Sequence, residues 1–205
     1  MTVDQMLNEL AQRLEDTNAN EFSSQMKLDA LNNGQDRLVT MVDNQYLTEL
    51  ETLDQYNDES CTPILWKGVF NLSDLTQPIL NGSIGVMAVK IHGGKYMNRI
   101  DLSGVKEFDS TMVEADISDP YYIVFSDKIE VIPATTVFTI PIDVYYQKKP
   151  TALASGGNCD LNAGLHHLVI GLAESYCWSN SEEQARSLGA EKVVFDQIAV
   201  INSKN

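Results

Sequence analysis

The chain has 205 residues, 43% of them hydrophobic, which is enough for one substantial core or two small ones. Against 29 Asp and Glu it sets only 14 Lys and Arg, a formal net charge of −15 that argues for solubility and against nucleic-acid binding through a basic face. It has no apolar run of about eighteen residues and no charged-then-apolar leader at Met1, so neither a membrane span nor a secretory signal is expected.

Thr2 or Asp4 can cap a first helix, with Met6, Leu7, Leu10 and Leu14 on its apolar side. Residues 16–21, DTNANE, are turn chemistry, and Ser23 or Ser24 starts a second helix that runs to Met41 or Val42. Leu28, Leu31, Leu38 and Val42 form its expected buried side, weakened midway by Asn32, Asn33 and Gly34. Gln35 interrupts that stripe and is read as an internally bonded or exposed amide ahead of a subunit contact. The acidic stretch 44–60 predicts a marginal helix or an extended arm. Its Asp54, Asp58 and Glu59 lack the spacing of a calcium loop and read as a solvated face.

From 61 to 147 the period becomes that of strands. Residues 84–91 alternate, His92, Gly93 and Gly94 turn the chain into 95–102, and a second hairpin joins 121–125 to 129–132. The polar stretch 103–119 reads as a surface loop, and Pro133 closes the second hairpin. With a strand at 137–147 these make a sheet of about five strands, and runs of strands between helical ends predict an α+β fold. Lys148, Lys149 and Pro150 end the last strand, and Ser155, Gly156 and Gly157 supply a joint. Asp160 is placed to cap a core helix through Leu161, Leu165, Leu168, Leu172 and Tyr176. Ser181 and Gln184 form a capping box for a last helix whose Ala185, Leu188, Phe195, Ile198 and Ala199 would face the core, with Gly189 as an interruption.

No phosphate-binding loop, nucleophile elbow or zinc-protease motif occurs in the chain. Adjacent His166 and His167 point about a hundred degrees apart on a helix, so they cannot share one metal from that spacing. His92 sits in a turn, and all three histidines read as structural or exposed. The three cysteines, Cys61, Cys159 and Cys177, lack C-x-x-C spacing and read as buried or half-buried thiols. Cys159 at a helix start invites comparison with a nucleophile, yet it has a carboxylate beside it and no base nearby in sequence. No metal and no cofactor are expected, and the chain is not expected to be an enzyme. Tyr145, Tyr146, Lys148 and Lys149 form an aromatic and basic cluster which, in so acidic a chain, reads as a protein contact or as lysines paired with acids. Trp66 and Trp178 read as packing anchors, with an intersubunit seam as the other place for Trp178. Val200 and Ile201 end the chain on an apolar note that can fray or dock on a partner.

Two stretches resemble the head-to-tail connector (adaptor) proteins of tailed phages. One is a strand ending in YYQKKP, followed by a polar joint and a helix carrying His166 and closing at an aromatic residue. The other is the opening VDQMLNELAQRLEDTNANEFSSQMKLDALNNGQDRLVTMV, similar to the first helix pair of those proteins. The resemblance implies a structural virion protein at the neck, assembled in the host cytoplasm, with a helical portion (1–60 and 151–205) and an inserted β domain (61–150). It implies a ring of about twelve copies under the portal, carrying the next tail or neck component. DNA would pass through its acidic channel without specific binding, and no membrane is involved. Subunit or portal contacts are then expected at Tyr145, Tyr146, Lys148, Lys149, Trp178, Ile198, Val200 and Ile201. The alternative from the residues alone is a protein- or carbohydrate-binding β module with helical arms.

Overall fold

In a computed structural model of the chain, residues 1–56, 62–64, 67–101, 120–132 and 141–204 are described. The fold is α+β, with helices at both ends of the chain and mainly antiparallel strands between. The chain divides into a helical unit, residues 1–50 and 150–205, and a β unit, residues 51–149.

The helical unit begins with helix α1, Val3–Arg13, at a capping box in which the Thr2 hydroxyl accepts from the Gln5 amide and the Gln5 side chain accepts from the Thr2 amide. Ser23 caps α2, Ser24–Met41. Helix α3, His166–Asn180, is buried around most of its circumference, from Leu168 through Ala173, because α1, α2 and the last helix α4, Gln184–Asn202, all pack on it. Gly34 is the reason α2 can lie so close: a Cβ there would stand 2.6 Å from the Val169 carbonyl oxygen and 3.2 Å from the Ala173 nitrogen. The glycine expected to weaken α2 is the contact point of the helix crossing.

Several local expectations are corrected. Asp160 does not cap α3; it accepts from the Thr151 amide at 3.0 Å, and Asn162 caps a short 3-10 turn, Ala163–Leu165, that leads into the helix. Ser181 closes α3, its hydroxyl donating to the Trp178 carbonyl, so no capping box forms with Gln184 and α4 starts after Glu183 with no side-chain cap. Tyr176 is exposed, and α4 buries Ser187, Val194 and Ile198, leaving Leu188 and Phe195 outside. The helix is apolar on more than one side, so periodicity does not single out the face that is covered.

Two polar devices hold the helical unit's loops. The Asp16 carboxylate accepts from the amides of Asn20, Glu21 and Phe22 and from Lys27, whose ammonium also donates to the Asp16 carbonyl at 2.6 Å. Both side chains are buried, so this pair satisfies charge where water cannot. After the last strand, the segment 151–159 is clamped on α2: Asn32 accepts from the Leu153 amide at 2.7 Å and donates to its carbonyl at 3.2 Å. Gln35 donates to the Thr151 carbonyl and accepts from the Cys159 thiol, which accounts for the gap in the apolar stripe.

The stretch expected as a marginal helix or arm supplies two 3-10 turns, Asn44–Tyr46 and Thr48–Leu50, and then strand β1, Glu51–Tyr56. In place of one sheet, the β unit has two among the described residues. The first has the order β1-β8-β4, with β4 Val86–Ile91 and β8 Ile142–Gln147. The second runs β2-β3-β7-β6-β5, with β2 Thr62–Ile64, β3 Lys67–Asn71, β5 Asn98–Arg99, β6 Tyr121–Val124 and β7 Lys128–Ile132. The β6–β7 hairpin forms as expected. The strand expected to return from the Gly93 turn meets β4 through Lys95, Tyr96 and Met97 before Asn98 and Arg99 pair parallel with β6. Buried residues of both sheets, among them Phe70, Val89, Tyr122, Ile129, Val131, Val144 and Tyr146, share one core. Cys61, Trp66, Asp58, Glu59, the loop 103–119, Pro133 and the strand start at 137–140 lie outside the described residues.

Candidate functional site

The strand-end cluster is split by the period of the strand. In β8, Tyr146 lies opposite Thr52 and Val86 while Tyr145 lies opposite Leu53 and Ala88, so the two rings point to opposite faces. Tyr146 is fully buried; its hydroxyl donates to Asp54 at 2.8 Å and accepts from the Gln77 amide at 3.3 Å. It is a core residue, and it is not a contact residue as expected. Asp54, read as part of a solvated face, also accepts from the Thr76 amide and hydroxyl, so it ties β1 to the loop after β3. Tyr145 meets Tyr96 with ring centroids 5.8 Å apart, and the Lys90 ammonium lies 5.5 Å over the Tyr96 ring. The hydrogen bond to Tyr96, with burial behind it, holds the Tyr145 hydroxyl above its ordinary pKa range. Lys148 is half-buried and Lys149 exposed, and both backbones are bound to the 78–79 segment, Lys149 through the Pro78 carbonyl. Of the four residues, Tyr145, Lys148 and Lys149 therefore remain on the outside.

The second group belongs to the helical unit. Trp178 is a buried packing anchor, edge-on to Phe22 at 5.6 Å and covered by the Arg186 guanidinium at 4.6 Å. Ile198 is buried against the unit's own core. Ile201 is half-buried with its carbonyl accepting from the Tyr46 hydroxyl, and Asn202 donates to the Met41 carbonyl and accepts from the Asp43 amide. The end of α4 thus docks on its own unit, and of the expected contacts in this unit Val200 is the exposed one. What sequence reasoning missed is the rest of that outer surface: Leu188, Val193 and Phe195 stand exposed beside it. The signal was present in the run KVVFDQIAVI, which is too uniformly apolar for a helix that covers one face only.

Of the groups with latent chemistry, His92, His166 and Cys159 are hydrogen-bonded and Cys177 is buried, while His167 is exposed. His166 is buried, its Nε2 2.8 Å from the Leu161 carbonyl, which can only accept, so that nitrogen carries the hydrogen. Burial is the main cause that depresses its pKa, with the Leu161 bond opposing it and nearby positive groups adding to it. His92 Nδ1 meets Asp143 at 2.9 Å on the surface of the β unit. Burial pushes the Cys159 thiol up, and that of Cys177 up to about 11, so both are protonated at neutral pH. Among the described residues no three His, Cys, Asp or Glu side chains are grouped to hold a metal ion, and no helix is long and apolar enough to cross a membrane. A groove of about 400 Å³ opens between α1, α3 and α4, floored by Gly171, Ala190, Val193 and Val194 and edged by Arg13, His167 and Glu174.

No protein-family model matches the chain, and no curated protein matches it in sequence.

Proposed function

We propose that the chain is a structural virion protein, a head-to-tail connector subunit that works by assembling into a ring between portal and tail. The observation that carries this reading is the folding together of the opening helix pair with the helices that follow the YYQKKP strand, the strand itself belonging to the β unit. Residues 1–50 and 150–205 build a single helical unit around α3, and the intervening 51–149 fold as a compact unit of their own. Supporting it, His92, His166 and Cys159 are hydrogen-bonded within the fold, and the last helix carries more apolar surface than its own unit covers. In this role the chain turns over no substrate; it forms a channel of about twelve copies and offers docking surfaces above and below. Its acidic character keeps DNA mobile in the channel.

The test is co-assembly with the portal protein encoded in the same genome, followed by light scattering and electron microscopy. A ring of about twelve copies seated on the portal is expected. A portal that remains bare at saturating concentrations of the chain contradicts the reading.

A second reading, a binding module on the β unit, draws on the outer face where Tyr96 and Leu53 are exposed beside Tyr145. It predicts a monomer or trimer that retains a glycan or peptide through Tyr96, and loses it on Tyr96→Ala.

A further inference from the structure

We propose that Asn81 is a site of self-modification: the Gly82 amide nitrogen attacks the Asn81 side chain, and water opens the resulting succinimide to aspartate or isoaspartate. The site belongs to the β unit and does not depend on what the helical unit assembles with.

The chemistry is that of an asparagine followed by a glycine. Once hydroxide has taken the Gly82 amide proton, the nitrogen forms a bond to Asn81 Cγ and the Cγ–Nδ2 bond breaks. Nδ2 takes a proton from water and leaves as ammonia, which restores the hydroxide. The succinimide then adds one water across either of its carbonyl–nitrogen bonds. Cleavage on the side-chain side gives aspartate, and cleavage on the main-chain side gives isoaspartate. Nothing is oxidised or reduced, so water and hydroxide are the whole of the requirement. A glycine in the second place leaves the attacking nitrogen uncrowded and its peptide free to turn.

The chain has two such pairs, Asn33–Gly34 and Asn81–Gly82, and the fold treats them oppositely. Both asparagines are exposed, so exposure does not separate them. Ring closure requires the peptide after the asparagine to swing until its nitrogen faces Cγ, at an attack distance of about 3–3.5 Å. Gly34 lies inside α2, where its amide is committed to the helix ladder. It is also buried, with the Val169 carbonyl oxygen 2.6 Å from the place a Cβ would take, so its peptide cannot turn unless α2 leaves α3.

Asn81 sits in a turn instead. Its φ is +56°, as is that of Gly82, the left-handed pair that the Asn-Gly sequence adopts at little cost. The Asn81 side chain makes no capping bond to the 3-10 turn that follows, Gly82–Gly85, and nothing stands within 4 Å of the Cβ position of Gly82. The bond that closes the turn, from the Ile84 amide to the Asn81 carbonyl, is long at 3.3 Å. Opening an exposed turn of this kind costs little, whereas opening α2 in its middle costs a large part of the helical unit's stability.

The loop is firm at its two ends, and that gives the modification a consequence. Leu80 is buried, with its amide donating to the Gln147 carbonyl at 2.8 Å. Gly85 backs onto the Leu80 carbonyl so closely that a Cβ there would stand 2.0 Å from the oxygen. Aspartate adds one negative charge to a chain already at −15. Isoaspartate also puts a methylene carbon into the main chain between Leu80 and Gly82, just ahead of Gly85 and β4, where the fit leaves no slack. The lengthened loop then has to displace Gly85 or release Leu80.

The test follows both asparagines by peptide mass mapping while the whole folded chain is held in mildly alkaline buffer, beside the same chain in urea and the variant Asn81→Gln. The folded chain should convert Asn81 at least about tenfold faster than Asn33, with ammonia released and with isoaspartate in the peptide that contains residue 81. In urea the two rates should converge, because the fold no longer distinguishes the pairs. Asn81→Gln, whose longer side chain closes a larger ring more slowly, should remove the isoaspartate from that peptide. Equal conversion of Asn33 and Asn81 in the folded chain would overturn the proposal, as would an Asn81 that keeps its amide over the time in which urea converts both. Aspartate at position 81 without isoaspartate would mean direct hydrolysis by water in place of attack by Gly82, and would overturn it too.

Discussion

Substituting alanine at two helical glycines should move stability in opposite directions. In the interior of a helix, Gly→Ala gains about 1 kcal/mol from backbone entropy alone. Gly189 in α4 has nothing within 4 Å of its would-be Cβ, so Gly189→Ala should realise that gain. At Gly34 the new methyl would stand 2.6 Å from the Val169 carbonyl oxygen and 3.2 Å from the Ala173 nitrogen. Ordinary carbon contacts lie near 3.5–4.0 Å, so α2 must retreat from α3 by about 1 Å, which forfeits about a quarter to a half of the dispersion energy of the contacts it opens. Since the obstructing atoms are backbone, no rotamer change relieves the clash, and overpacking of this kind costs about 1–3 kcal/mol. The net is a loss of up to about 2 kcal/mol at Gly34 against a gain of about 1 at Gly189. Thermal melts followed by far-UV circular dichroism, on dilute protein, should show the first variant lower by up to about 8 °C and the second higher by about 2–4 °C. If Gly34→Ala melts higher than the parent, α2 and α3 do not cross where described, and the account of the helical unit is wrong.

Three further outcomes follow from particular groups. Backbone amides and Lys27 hold the Asp16 carboxylate, despite its burial, well below its usual pKa, at about 2. A group whose pKa is depressed on folding contributes fully above its unfolded value of 3.8 and loses that contribution as pH falls through about 2. Melting temperatures of the parent and of Asp16→Asn should therefore differ most near neutrality and converge between pH 4 and pH 2; a constant difference over that range would refute the role. His166 is held below its ordinary 6.5 mainly by burial, so the unfolded chain takes up its proton first and stability should fall as pH drops below about 6.5. His166→Gln should flatten that part of the pH profile, and an unchanged slope would count against it. Asn32→Ala removes both bonds that hold Leu153, which should cost about 1–3 kcal/mol. Hydrogen exchange at the Leu153 amide should then accelerate far more than exchange in α3, and equal acceleration of both would show that the clamp is not local.

The readable parts of the sequence were those where one local rule acts alone. Thr2 and Ser23 announce helix starts because a cap needs only its own helix, and the strand expected at 129–132 follows its turn directly. Tyr145 and Tyr146 looked like one cluster because they are adjacent, whereas a strand sends neighbours to opposite faces. Asp160 and the Ser181–Gln184 pair were plausible caps outbid by partners distant in sequence, Thr151 for the first and the end of α3 for Ser181. Gly34, Asp16 and Asn32 act through residues they meet only after folding, so no periodicity reveals them. The covered face of α4 was misassigned for a different reason: Leu188 and Phe195 have the right spacing for a core stripe, and so do Val194 and Ile198.

Counting subunits in purified virus particles bears most directly on what the chain is for. If it is a connector, quantitative mass spectrometry of virions from the genome that encodes it should find about one copy for each portal subunit, about twelve per particle. A chain made in infected cells and missing from the particle, or present in one or two copies, would contradict the account.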